Sequence, residues 1–99
     1  MEISGEVGVA EFVRLMEDYL SGRIGVIDYT KSYFAMSKKR VNIPDETADE
    51  IIQRGYGDAD DYDPVVRLPN TILEPELRER VAKSLRALSS RGYGRENKR

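Results

Sequence analysis

Four aspartates, Asp58, Asp60, Asp61 and Asp63, stand close together in the stretch Asp58-Ala59-Asp60-Asp61-Tyr62-Asp63-Pro64. Carboxylates at this density can hold a hard cation, serve as acid and base, or face a cationic surface. A calcium loop needs alternating oxygen ligands, a glycine at the sixth position and a glutamate at the twelfth. Counted from Asp58, those positions hold Asp63 and Pro69, so the pattern fails and only a nonspecific or magnesium site stays open. Catalysis has little to build on. The sequence has no histidine and no cysteine, which removes the commonest general base and every thiolate. The serines have no base to activate them. Gly-Tyr-Gly occurs at 55–57 and again at 92–94, without the strand and helix of a phosphate-binding loop.

The third possibility fits the local physics better. Residues 45–63 carry eight acids against one base, Arg54, in a chain of net charge −2. Asp45, Glu46 and Asp49 fall where a helix would begin, and there negative charge is favourable. The later aspartates fall where the same helix would end, and there it is unfavourable. The competing readings of Asp58, Asp60, Asp61 and Asp63 are a solvated acidic turn, a weak metal site and a docking surface for a cationic protein. Docking is the expectation adopted here. Tyr56 and Tyr62 interleave with the acids, and tyrosine is a frequent interface anchor. Core packing is the alternative for both rings. Glu50 and Asp49, one to three turns earlier, extend the patch.

The elements that position these residues are helical. Val9, Phe12, Val13, Met16, Tyr19 and Leu20 share one face of a helix that Gly22 stops. A second helix is expected after Gly25 as N-cap, with Asp28 at its third position and Ile24 packing on Tyr29. Its stripe is Val26, Tyr29, Tyr33 and Met36, flanked by Ile27 and Phe34. It ends in Lys38, Lys39 and Arg40, cations at the negative pole. That run is read as dipole complement and solvated surface, with nucleic-acid binding the weaker alternative in an acidic chain.

Pro44 marks the start of the third helix, whose inner face is Ala48, Ile51, Ile52, Gly55, Ala59 and Tyr62. Gly55 lies on that face and predicts close approach of a neighbouring helix. Gly57 has no such reading. Asp63-Pro64 ends the segment. Residues 65–70 are a connector, and the last helix runs from Glu74 or Pro75 to Ser90 with Leu77, Val81, Leu85 and Leu88 inward. Residues 1–5 are expected to be loose, and 92–99 to form a flexible tail.

Ninety-nine residues, 39% hydrophobic and 34% charged, fit a single small helical domain. The expected fold is all-α, a compact antiparallel four-helix bundle with its ordered core at about 7–91. The first thirty residues contain no secretory pattern and no stretch is long and apolar enough for a membrane, so a cytoplasmic protein is expected. No cofactor is expected.

Four blocks together resemble the bacterial self-protective, colicin-like immunity family, which includes the immunity protein of colicin D. They are Leu20-Ser21-Gly22-Arg23-Ile24, the aromatic Tyr29 four residues after its cap, the acidic block 58–64, and Ile72-Leu73-Glu74-Pro75-Glu76-Leu77-Arg78. The similarity spans about 9–88. Gly25, where a capping serine or threonine is usual, and the two glycines before the acidic block depart from the pattern. The resemblance implies a helical bundle that binds the nuclease domain of a cognate toxin and blocks it. In such pairs the toxin cleaves tRNA in a basic cleft, and carboxylates stand in for RNA phosphates. Carried over, the matching positions are Asp58, Asp60, Asp61 and Asp63, with Tyr62 among them. Bacteriocin and contact-dependent systems fit equally. Neutralising Asp60 and Asp61 is then expected to weaken toxin binding more than folding. The alternative is a helical interaction or regulatory module with no toxin partner. An enzyme ranks third.

Overall fold

The first helix, α1 (Val9–Leu20), begins at Gly8, whose backbone N–H donates to the Glu11 carboxylate at 2.9 Å. A computed structural model describes residues 8–39, 43–63 and 71–93. Three further helices follow: α2 (Val26–Lys38), α3 (Glu46–Asp61) and α4 (Glu74–Ser90). Each packs on the next in order, and α4 closes onto α1. Neighbours run antiparallel. Tyr19 near the end of α1 meets Glu74 at the start of α4, and Phe12 and Tyr33 pair across α1 and α2. The expected all-α antiparallel four-helix bundle is the observed fold.

Helices α1 and α4 stop by the same device. Gly22 (φ +88°) and Gly92 (φ +94°) take the left-handed conformation, which glycine adopts without the Cβ penalty. The following N–H of Arg23 reaches back to Asp18 O at 2.9 Å, and that of Tyr93 reaches Leu88 O at 3.1 Å. Tyr93 is thus the closing residue of a helix cap, and its ring packs against the core. Expected in the flexible tail, it is tied down by both its ring and its N–H.

The expected core is largely the observed one. Phe12, Met16, Tyr19, Tyr29, Tyr33, Ile52, Leu77 and Leu88 are fully buried. Ser84 is buried where Leu85 was expected, and Leu85 is only half-buried against the core. Ile27 is 53% exposed. Tyr19 and Tyr29 stack with centroids 4.5 Å apart, Tyr29 meets Tyr33 edge-on at 5.7 Å, and Tyr33 meets Phe12 at 5.0 Å. Burial, above all, pushes the Tyr29 phenol upward. It does the same to Tyr19, helped by the Glu74 carboxylate that accepts its hydroxyl at 2.9 Å. Arg78 lies 5.0 Å above the Tyr19 ring and donates to Leu20 O at 2.8 Å. Glu74 and Arg78, both in the last of the four sequence blocks, therefore clamp the end of α1.

Asp45, directly after the boundary residue Pro44, caps α3. Its carboxylate accepts from Thr47 N and Ala48 N at 3.1 and 3.2 Å. It also accepts from Arg91 at 2.8 and 2.9 Å and from the Tyr93 hydroxyl at 3.1 Å, which joins the start of α3 to the end of α4. The Arg91 hydrogen bond, then those of Ala48 and Tyr93, hold the Asp45 carboxyl down at about 2. The sign follows directly. Between the ordinary value of 3.8 and about 2 the unfolded chain binds the extra proton, so this stabilisation is full above pH about 4 and is lost as pH falls toward 2. Asp45→Asn keeps a competent cap but removes the titration. Its urea midpoint should fall less steeply than the wild type's between pH 4 and 2; identical slopes would refute the assignment.

Helix α4 begins at Glu74, one residue before Pro75, a position where a missing N–H is harmless. The loose start expected at 1–5, the cation Arg40, Pro64, the connector 65–70 and the tail beyond Tyr93 lie outside the described residues. No helix among the described residues is long and apolar enough to cross a membrane.

Candidate functional site

Helix α3 carries most of the acids, and its rotation decides which of them face outward. At about 100° per residue, Ile51, Gly55 and Asp58 fall on one inward line. Asp58 is accordingly buried, 8% exposed, and meets Arg80 of α4 at 3.1 Å. The same guanidinium reaches Asp61 at 3.4 Å and Glu76 at 2.8 Å. Burial raises the Asp58 carboxyl above its ordinary value, with the neighbouring Asp61 charge in the same direction and Arg80 opposing both. Desolvation wins over pairing here. Asp58 and Asp61, both expected on a docking surface, are thus engaged within the fold, and Asp58 is withdrawn from the outer surface.

The end of the acidic block is also tied into the fold. Ile72 N–H donates to Asp61 O at 2.9 Å, and Asp63 N–H donates to Ile72 O at 3.3 Å. These bonds make one parallel bridge between Tyr62 and Ile72, the only extended pairing among the described residues. Tyr62 is half-buried against the core, as the packing reading had it. Its phenol is raised by burial and then by the Glu74 and Asp63 charges. Asp63 is half-buried and engaged in further interactions.

The outward face gathers different members of the predicted set. Glu50 and Asp60 are exposed, Asp49 is half-buried and Tyr56 is 45% exposed. Glu46 joins them. Glu46, Glu50 and Asp60 have no ion-pair partner among the described residues. Asp49 accepts from Gln53 Nε2 at 2.8 Å and makes further interactions. Tyr56 meets Phe34 of α2 edge-on at 5.1 Å. Beside that pair lies a groove of about 230 Å³ between α2 and α3, lined by Ser37, Ile52, Gln53 and Tyr56. On the opposite flank of α3, a cleft of about 300 Å³ is lined by Arg54, Asp58, Arg80, Lys83 and Ser84. Helix α3 is therefore acidic and aromatic toward α2, while toward α4 its Asp58 and Asp61 face the cations Arg80 and Lys83 of that helix.

No protein-family model, curated protein or solved structure matches this chain. The likeness to the colicin-like immunity family is carried by the four sequence blocks alone.

Among the described residues no group of carboxylates is arranged to hold a metal ion. Asp58, Asp61 and Glu76 converge on the Arg80 guanidinium, and Asp60 is exposed. Arg80, Gln53, Phe34 and Ser37 were not anticipated. Arg80 sits on a helix read only for its apolar repeat, and no local pattern links it to Asp58. Gln53 had a usable signal, because it falls one turn before Tyr56–Gly57 and between Asp49 and Asp60 on the same line.

Proposed function

We propose that this chain is an immunity protein that binds the nuclease domain of a cognate bacterial toxin, a tRNA-cleaving ribonuclease, and blocks its basic cleft. The observation that carries this reading is the outer face of α3, where Glu46, Glu50 and Asp60 stand exposed without ion-pair partners among the described residues, beside Tyr56. Asp60 lies in the last turn of its helix, where negative charge is disfavoured. A cationic partner relieves that cost. Three carboxylates on a rigid helix also match what a phosphate-binding cleft recognises. Fixed negative charge would speed encounter, and the bundle behind it would exclude RNA from the cleft. The resemblance of four sequence blocks to the immunity family supplies the identity of the partner.

The test uses Glu50→Gln with Asp60→Asn in the full chain. It replaces the Asp60/Asp61 pair suggested by sequence, because Asp61 shares Arg80 and its loss would perturb the fold. A candidate toxin nuclease domain, sought among the neighbouring genes, is co-expressed, co-purified and assayed for tRNA cleavage. The double variant should bind roughly tenfold more weakly, about 1.4 kcal/mol, through slower association and with a shallower salt dependence. Its thermal midpoint should hardly move. Full affinity at both low and high salt would remove the α3 face from the interface. Failure of the wild-type chain to bind or protect against that nuclease would remove the function.

A further inference from the structure

The groove beside Tyr56 has a chemistry of its own. Its volume of about 230 Å³ lies below the range of about 300 Å³ at which small-molecule pockets begin, so it suits one side chain better than a ligand. It is lined by the buried Ile52 and by Tyr56, whose ring is held edge-on against Phe34. Three polar groups of its lining residues have no partner among the described residues: Ser37 Oγ, the Tyr56 hydroxyl and Gln53 Oε1, whose Nε2 is already given to Asp49. The acids Asp49 and Asp60 stand within a turn of Gln53 and Tyr56 on the same helix. Arg54, the one base of this helix, lines the opposite cleft.

An aromatic ring, several acceptors and a negative field are the three things a guanidinium uses together. It stacks on an aromatic face while its five donors fan out in one plane. An ammonium group uses the field but neither the plane nor the fan. In the opposite cleft Arg80 is already engaged by Asp58, Asp61 and Glu76. We infer that the α2–α3 groove receives one arginine side chain of the cationic protein partner, its guanidinium lying against the Tyr56 ring and bonded at Ser37 and Gln53. This rests on the docking function proposed above and names its central contact.

The probe is N-acetyl-arginine methylamide, compared with its lysine and citrulline counterparts, added to the isotope-labelled full chain and followed by amide chemical shifts. Arginine should move Ser37, Ile52, Gln53 and Tyr56 first, and should bind at least threefold more tightly than lysine. Citrulline should bind more weakly still. Tyr56→Phe keeps the ring and should keep binding; Tyr56→Leu keeps apolar bulk and should lose it. Equal response to arginine and lysine, shifts spread evenly over the exposed carboxylates, or undiminished binding by Tyr56→Leu would each overturn the inference. The toxin domain separates the two levels. If Glu50→Gln/Asp60→Asn weakens toxin binding and Tyr56→Leu does not, the groove contact is wrong and the function stands. If the arginine probe fills the groove while no toxin domain binds, the groove stands and the function is wrong.

Discussion

Replacing Arg80 with methionine should lower stability by about 2–3 kcal/mol, although the residue lies on the surface side of α4. The methionine keeps most of the aliphatic stem, so the loss isolates the charge. Without Arg80 the Asp58 carboxylate, whose side chain is only 11% exposed, is left inside without its ion-pair partner. Stripping one partner from a buried pair commonly costs about 3–5 kcal/mol. Arg80 itself is 35% exposed, so solvent already screens part of its charge and the lower figure applies. For a domain of this size each kcal/mol is worth roughly 4–8 °C in the thermal midpoint. Adding Asp58→Asn should recover much of the loss, because the group left inside is then neutral. A cycle that is additive to within about 0.5 kcal/mol would show that the two residues are not coupled. The penalty should also shrink in mild acid. Asp58 already titrates above its ordinary value, and removing Arg80 raises it further.

Gly55→Ala should be nearly as damaging, by roughly 2 kcal/mol, and for the opposite physical reason. A Cβ at that position would fall on the Tyr33 hydroxyl and 2.8 Å from its Cζ. Tyr33 is fully buried between Phe12 and Tyr29, and its hydroxyl donates to Ile52 O at 2.8 Å, so the ring has nowhere to retreat. Overpacking of this kind costs about 1–3 kcal/mol, more than the ~1 kcal/mol that alanine returns in helix propensity. Tyr33→Phe removes the oxygen that collides, so the double variant should be more stable than the sum of the two single changes predicts. Gly57 is the control, being a turn-mate with nothing within 4 Å of its Cβ position. Gly57→Ala should raise stability by up to about 1 kcal/mol. Equal effects at the two glycines, read by urea midpoints, would contradict the packing.

These two variants also mark what could be read from the sequence and what could not. Helices α1 and α4 end where their apolar repeats and glycines say they should, because burial of one face dominates the choice of helix over coil. Gly55 on an inward stripe correctly announced a close neighbour, although nothing in the sequence names Tyr33. The acidic block was read as a single patch because its members are adjacent in the chain. On a helix, adjacency scatters them, and the line Ile51–Gly55–Asp58 already put one aspartate inside. Its partner Arg80 and the Asp45–Arg91–Tyr93 junction are long-range pairings that leave no local periodicity. Which members face outward (Glu50, Tyr56 and Asp60, with Asp49 half-buried beside them) is set by the rotation of α3, which adjacency in the chain does not encode.

The ring column of Tyr19, Tyr29, Tyr33 and Phe12 has an optical consequence. The chain has six tyrosines and no tryptophan, so its near-ultraviolet signal belongs almost entirely to phenol rings. Three of the six are buried and held at fixed mutual angles at the seam of α1 and α2. Chromophores locked in an asymmetric array give strong circular dichroism, which vanishes when side chains move freely even while helices persist. This bundle therefore carries an internal gauge of core rigidity, separate from the far-ultraviolet signal of its helices and requiring no label.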